Sequence, residues 1–434
     1  VYRKKLLNQL YPLKGDASDY TPCLELTSNV DFVLIGESTH GTEEFYQIRA
    51  ELTKRLITEQ GFNAVAIEGD WPDSYRINRY IRGDCSIKDN LDSLEGFKRF
   101  PTWMWRNQIM LKFIDWLYHY NTTTKEMVGI YGLDLYSLNA SIEIIISYLE
   151  KVDQEAAIRA KKRYACFEDF KEELDSYGFS TILGIRKSCE EAVIEQLNEL
   201  NQNSDLYLND NCLAEDEFFN IQQNAWLVKN AEQYYRSMFS TSSWNMRDSH
   251  MAATLDKLAN YLGKKLGRPA KIIVWAHNSH IGDARATESA QEGQLNIGQL
   301  TREKYGNKVA LIGLLTYSGT VTAASVWDGA TERKFVRPAL SNSYEHLFHH
   351  MNIPDFFLNI RDHNQHYLDK GLLERAIGVI YAPETERLSH YFYANLAKQF
   401  DAVIYLDNTT ALKPLETTAI WHRGEVYETF PSGF

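Results

Sequence analysis

Val30-Asp31-Phe32-Val33-Leu34-Ile35-Gly36-Glu37-Ser38-Thr39-His40-Gly41-Thr42 is the stretch that decides the fold. Residues 30–36 are almost continuously apolar, the pattern of a strand whose two faces are both covered. The chain then turns polar at once. Thr42 is placed to cap a helix, and Glu43 and Glu44 suit its positive end. Phe45, Ile48, Leu52 and Leu56 follow at helical spacing until Gly61 stops the helix. A second apolar run, residues 62–67, precedes Pro72, which is well placed in the first turn of another helix. Strand, helix and strand in that order make a βαβ unit, so parallel strands and a right-handed crossover are expected.

The same grammar returns downstream. Residues 127–133, 271–276, 309–315, 376–381 and 402–406 are further strand candidates. Residues 138–262 hold no comparable run, only helix-period patterns such as Ile142, Ile145, Ile146 and Leu149, with dense charge such as Lys161-Lys162-Arg163. The expected fold is α/β: a mostly parallel sheet flanked by helices, with residues 1–137 and 263–434 as core. Residues 138–262 are expected to be a helical insertion, forming a cleft over the carboxyl ends of the strands.

Composition bounds the class of function. At 44% apolar and 24% charged residues, the 434-residue chain is ordinary globular protein, neither disordered nor coiled coil. Its net charge of −12 repels polyphosphate, so no nucleic-acid partner is expected. No run approaches the roughly 18 apolar residues of a membrane span, so no membrane partner is expected either. Val1-Tyr2-Arg3-Lys4-Lys5-Leu6-Leu7 is basic but lacks the apolar core of a signal peptide, although a first residue other than Met leaves a removed leader open. Cys23, Cys85, Cys166, Cys189 and Cys212 are widely spaced and form no C-x-x-C pair, which suits reduced thiols in a cytoplasmic protein.

The familiar catalytic signatures are missing. The sequence has no G-x-S-x-G elbow, no phosphate-binding G-x-x-x-x-G-K-[ST] loop, no G-x-G-x-x-G and no H-E-x-x-H. What it has instead is polar residues at strand ends. The first strand runs into Glu37 and His40, the second into Glu68-Gly69-Asp70, the third into Asp134. The strand at 271–276 runs into His277-Asn278-Ser279-His280-Ile281-Gly282-Asp283. Ligands of open parallel sheets sit outside the carboxyl ends of the strands, where Glu37, His40, Glu68, Asp134, His277 and His280 would converge. Any one of them alone reads as an ordinary cap; together they suit general acid–base activation of water. A neutral imidazole takes the proton, and a carboxylate holds its tautomer, with Glu37 and Glu68 equally good candidates for that carboxylate. Further imidazoles at 277 and 280 would donate to an oxyanion or protonate a leaving alkoxide.

Gly36-Glu37-Ser38-Thr39-His40-Gly41-Thr42 resembles the G-E-[AS]-T-H-G-T motif of the erythromycin esterase family. The resemblance continues through Arg49, Ala66-Ile67-Glu68, Tyr80-Ile81-Arg82-Gly83, Trp103-Met104-Trp105-Arg106, Tyr131-Gly132-Leu133-Asp134 and Trp244-Asn245-Met246-Arg247-Asp248. It extends to Trp275-Ala276-His277-Asn278-Ser279-His280 and Pro383-Glu384-Thr385-Glu386-Arg387, nearly the whole chain. What it implies is a cofactor-free, metal-independent hydrolase acting on an ester or lactone, in which the histidine matching His40 activates water. Residues matching Glu37, Arg49, Glu68, His277 and His280 complete the implied site. Related sequences also carry a label of succinoglycan biosynthesis.

Other features have two readings each. Phe100, Trp103, Trp105, Phe113 and Trp116 read first as core and otherwise as a pocket for an apolar or sugar-bearing ligand. His346, His349, His350, His363 and His366 read first as a surface cluster and otherwise as metal ligands. Arg247 and Asp248 head a helix and read as an ion pair bracing the cleft. Arg49 falls one residue past Ile48 of an apolar face, either solvated or turned toward the site. Two rival functions remain open. One is a hydrolase with a divalent metal on Glu37, His40, Glu68 and His277; the other is a non-catalytic small-molecule binding protein linked to polysaccharide biosynthesis.

Overall fold

In the computed structural model, residues 6–7, 9–171, 173–208, 212–238, 243–361, 368 and 371–424 are described. The chain divides into two compact units. The first comprises Val1–Ala66, Arg79–Gly129 and Ala259–Phe434; the second comprises Ile67–Asn78 and Ile130–Leu258. The strands in chain order are β1 (Leu10–Pro12), β2 (Phe32–Ile35), β3 (Ala64–Asp70), β4 (Gly129–Asp134), β5 (Ile272–Trp275) and β6 (Val309–Ala323). They continue with β7 (Glu332–Val336), β8 (Asp355–Asn359), β9 (Leu372–Arg375), β10 (Tyr391–Ala394) and β11 (Ala402–Thr409).

In the first unit the strand order is β1-β8-β11-β6-β2-β5, with the first residues of β3 beyond β5 and β7 paired to β6 off this path. β2 is parallel to both neighbours, Phe32 lying against Ile272 and Val309, and Ile35 against Trp275 and Ile312. β11 is parallel to β6, whereas β8 and β1 pair antiparallel at that edge. The centre is therefore the parallel sheet that the apolar runs require: Val33, Leu34, Ile35, Ile273, Val274, Leu311 and Ile312 have no exposed surface. α1 (Glu43–Gln60) follows β2 as expected and ends at Gly61; Thr42 stands at the N-cap position, but its hydroxyl hydrogen-bonds that of Thr39 instead of capping the helix. β2 and β3 are not neighbours, however, because β5, supplied from far downstream, fills the place between them.

Two expectations about strands need correction. The run 376–381 is not a strand; the strand lies just before it, Leu372–Arg375, and pairs with β10 in a separate two-stranded sheet. Residues 377 and 380 instead make single bridges to Thr39 and Ala324. β1, β7, β8 and β10 have no counterpart among the sequence candidates. All four pair antiparallel, and Glu332-Arg333-Lys334 at the head of β7 breaks any apolar run.

The second unit contains the ends of β3 and β4 and is otherwise helical. α2 (Trp71–Ile81) begins in it. α3 (Leu138–Val152), α4 (Gln154–Tyr164), α5 (Glu190–Gln202), α6 (Cys212–Ser237) and α7 (Ser243–Leu266) follow. Among its described residues, 138–258 carry helices and no strand. Ile142, Ile145 and Leu149 are buried on α3, as are Met251, Leu255 and Leu258 on α7. Cys166 and Cys189 form a disulfide here, their Cα atoms 6.1 Å apart, within the span a bridge needs. That corrects the expectation of reduced thiols throughout and removes the thiol argument for a reducing compartment. Helix packing brings together two cysteines 23 residues apart, a proximity that their spacing does not encode. Among the described residues no helix is long and apolar enough to cross a membrane.

Candidate active site

Beyond Ile35 the chain leaves regular structure but stays pinned. Gly36 donates its N–H to Ile312 O (2.8 Å), Ser38 to Leu314 O (3.0 Å) and His40 to Ile377 O (3.2 Å). Two glycines are dictated by close approach. A Cβ on Gly36 would lie 1.9 Å from Asn278 Oδ1, and one on Gly41 would lie 1.8 Å from the Thr322 carbonyl oxygen. The segment from Gly36 to Gly41 is thus wedged between the turn after β5 and the extension of β6.

Within this wedge, His40 Nδ1 lies 2.9 Å from Glu37 Oε1. An ionised carboxylate only accepts, so Nδ1 carries the hydrogen and Nε2 of the neutral ring keeps the basic lone pair. The second Glu37 oxygen is 2.8 Å from Arg49 Nη2, both side chains being almost wholly buried. The contact is a buried ion pair, and the guanidinium nitrogens make no hydrogen bond among the described residues, which marks it as held by charge. The guanidinium carbon is 4.3 Å from the Tyr46 ring centroid and 5.2 Å from that of Trp275. Arg49 is therefore turned inward, and the solvated alternative is wrong.

His277 caps the short helix α8 (Asn278–Ile281). Its Nδ1 accepts the Ser279 backbone N–H at 3.2 Å, with Ser279 Oγ at 2.8 Å. A backbone N–H can only donate, so the neutral ring places its hydrogen on Nε2, the opposite assignment to His40. The two imidazole centroids are 4.8 Å apart. A basic nitrogen and an N–H donor on adjacent rings are the two groups that acid–base chemistry at a carbonyl needs. His280 lies on α8 and is 3% exposed, its backbone N–H donating to His277 O. Asn278 ties the two halves together: its N–H donates to Glu37 O (2.8 Å), and its Nδ2 donates to Leu314 O (3.0 Å). Asp283 is structural, capping the next turn and pairing with Arg285.

Glu68 and Asp134 belong to the second unit, at the ends of β3 and β4. Arg247 bridges them: Nε lies 3.0 Å from Asp134 Oδ1, while Nη2 lies 2.6 Å from Asp134 Oδ2 and 2.8 Å from Glu68 Oε1. Burial alone would favour discharging this guanidinium, but Asp134, Tyr136 and Glu68 outweigh it and hold the charge firmly. Arg247 thus braces strand ends, pairing with Asp134 and Glu68 where the sequence suggested Asp248. Asp70 is an ordinary cap, accepting from Tyr136 N and Ser137 Oγ ahead of α3.

The remaining candidates separate. Trp103, Trp105 and Phe113 are core, while Phe100 and Trp116 are half-buried. His349 pairs with Asp407 at 2.7 Å and stacks on Tyr317, and His350 is exposed, as a surface cluster requires. His363 and His366 lie outside the described residues. No three His, Cys, Asp or Glu side chains converge as metal ligands among the described residues. Glu37 pairs with His40 and Arg49, and Glu68 with Arg247.

The family model of erythromycin esterase matches residues 57–409. The chain belongs to the erythromycin esterase family. The match contains Glu68, Asp134, Arg247, His277 and His280, whereas Glu37, His40 and Arg49 precede it. The YbfO protein of Bacillus subtilis (strain 168) is 23% identical over 399 residues, covering 87% of this chain and 83% of that protein. A solved structure of a Bacillus cereus protein superposes with a TM-score of 0.77 at 20% identity, covering 96% of this chain and 98% of its own. An erythromycin esterase variant in an open conformation superposes with a TM-score of 0.66 at 18% identity, covering 95% and 98%. These likenesses establish the family's fold, a mostly parallel sheet with flanking helices. Membership supports a hydrolase of esterase type at the level of the family.

Proposed function

We propose that this chain hydrolyses carboxylic esters or lactones by direct attack of water, with His40 as general base and no covalent intermediate. The observation that carries the reading is the buried succession Arg49, Glu37, His40, which leaves a lone pair on His40 Nε2. In the proposed reaction Nε2 takes a proton from water as the water oxygen bonds to the carbonyl carbon. The electron pair displaced onto the carbonyl oxygen is met by the Nε2–H of His277. Collapse of this tetrahedral species breaks the bond to the leaving oxygen, which takes the proton back from His40. Glu37 stabilises the transient imidazolium, and Arg49 holds Glu37 in place by their buried contact. His280, on α8 beside His277, completes the proposed set within the first unit.

Aryl acetates and other small activated esters are the expected substrates, because the sheet alone positions the base. Macrolide turnover does not follow from membership in a family shared at about one residue in five. Single-turnover hydrolysis in ¹⁸O-water, with enzyme in excess, tests the route. Direct attack puts the label in the released acid and none in the protein. Label recovered in Glu37 or Glu68, or an acyl group trapped on the chain, would refute it.

A further inference from the structure

Behind the candidate site, within the first unit, lie four buried charged side chains that the proposed reaction leaves unused. Glu345 on α9 (Tyr344–His349) and Glu374 and Arg375 on β9 have no exposed surface, and Glu386 is 5% exposed. The single guanidinium is fully committed. Arg375 Nε lies 3.1 Å from Glu386 Oε1, Nη1 donates to Tyr317 O (2.9 Å) and Nη2 to Arg337 O (2.7 Å). Glu345 receives the backbone N–H of Arg375 at 2.9 Å. Glu374 receives nothing comparable: neither of its buried oxygens has an aligned hydrogen bond. It faces the carboxyl of Glu345 and the amides of Gln399 and Asn278. Gln399 is 1% exposed, and its Oε1 and Nε2 are also without aligned partners.

We propose that Glu374 is a positioning residue, a carboxylic acid that keeps its proton and joins the amides of Gln399 and Asn278, so fixing α8 against the Glu37–His40 turn. A protonated carboxyl offers one O–H donor and one carbonyl acceptor, complementary to the acceptor and donor of an amide. An ionised one would be desolvated opposite a second carboxylate, with no cation of its own among the described residues, a costly state. Burial first, and Glu345 second, push the Glu374 carboxyl well above the usual carboxylate range, against a smaller opposing pull from the amides. The consequence reaches the site through Asn278, whose backbone holds Glu37 and whose side chain occupies the space above Gly36. Gln399 does the same on the far side, its Cγ lying 2.7 Å from where a Cβ on Gly282 would stand, just past α8.

Glu374→Gln supplies an amide that mimics the protonated acid and cannot ionise. Urea unfolding of the wild type and this variant is compared between pH 6 and 9. Folded wild type holds a proton that the unfolded chain has released above about pH 4.5. Its unfolding constant relative to the variant should therefore rise about tenfold per pH unit until the folded carboxyl ionises. A ratio that stays flat across the range would overturn the assignment. The kinetic arm alone rests on the proposed hydrolysis. With an aryl acetate at pH 7, Glu374→Gln should keep kcat within about threefold of wild type, whereas Glu374→Leu should lose at least about tenfold with KM little changed. At alkaline pH, wild type should lose kcat while Glu374→Gln does not. An inactive Glu374→Gln beside active wild type would show that an ionised carboxylate is needed, and would overturn the proposal. Wild type inactive on every ester would count against the hydrolysis reading alone, since the unfolding arm still decides Glu374.

Discussion

Replacing Arg49 by Met removes the guanidinium paired with Glu37 while retaining a similar unbranched stem. Arg49 has no exposed surface and Glu37 is 1% exposed, so water cannot take over the guanidinium's role. Stripping one partner from a buried ion pair costs about 3–5 kcal/mol, because the remaining charge is left uncompensated. The lost stacking on Tyr46 and Trp275 adds about 0.5–2 kcal/mol, and Met packing returns some of it. A net loss of about 3–5 kcal/mol is expected by urea denaturation, read as a lower midpoint at unchanged slope. Tryptophan fluorescence is a suitable signal because Trp275 lies against the guanidinium. Glu37→Gln alone should be costly for the complementary reason, leaving a buried arginine unpaired. The double variant, with both charges gone, should cost clearly less than the sum of the two. A loss below about 1 kcal/mol for Arg49→Met, or strictly additive losses, would refute the claim that the pair acts as one buried unit.

Gly41→Ala should lower stability by about 1–3 kcal/mol and depress hydrolysis, since the added methyl meets a backbone carbonyl that cannot step aside. Gly378→Ala, where nothing stands within 4 Å, is the matched control and should be neutral in melting and in rate. His250, stacked on Trp226 and accepting from Asn230, is pushed down to about 4, mainly by burial. Its folded affinity for a proton is below its unfolded one. The stabilisation is therefore complete above about pH 6.5 and lost as pH falls toward 4, by about 3 kcal/mol in all. His250→Gln should flatten that part of the stability–pH curve, and an unchanged curve would show that His250 protonates freely in the folded protein.

What the sequence disclosed follows from how each element meets its neighbours. β2, β5 and the first half of β6 are covered on both faces, so their composition alone betrays them. β7 and β8 pair antiparallel, and β1 is three residues long, too short for any pattern. Residues 376–381 mislead because Ile377 and Tyr381 are buried against Val321, Ala323 and Val336 while the backbone makes only single bridges and enters no ladder. Glu37, His40 and His277 were legible because they directly follow strands whose ends a parallel sheet brings together. Arg49 was ambiguous: it lies on a helix, and nothing at its position says whether it turns inward. Glu374 carried no signal at all, since its environment is made by four segments that only the tertiary fold assembles. Cys166 and Cys189 were misread for the same reason.

The central claim is that His40 Nε2 removes a proton from the attacking water. The most direct measurement is kcat/KM of His40→Gln on an aryl acetate at neutral pH, with the melting temperature taken on the same sample. A base lining a site contributes little packing, so melting should move by no more than a few degrees. The rate should fall by about 10²–10⁴-fold, the usual worth of a general base. A folded His40→Gln protein that hydrolyses the ester at the wild-type rate would contradict the account.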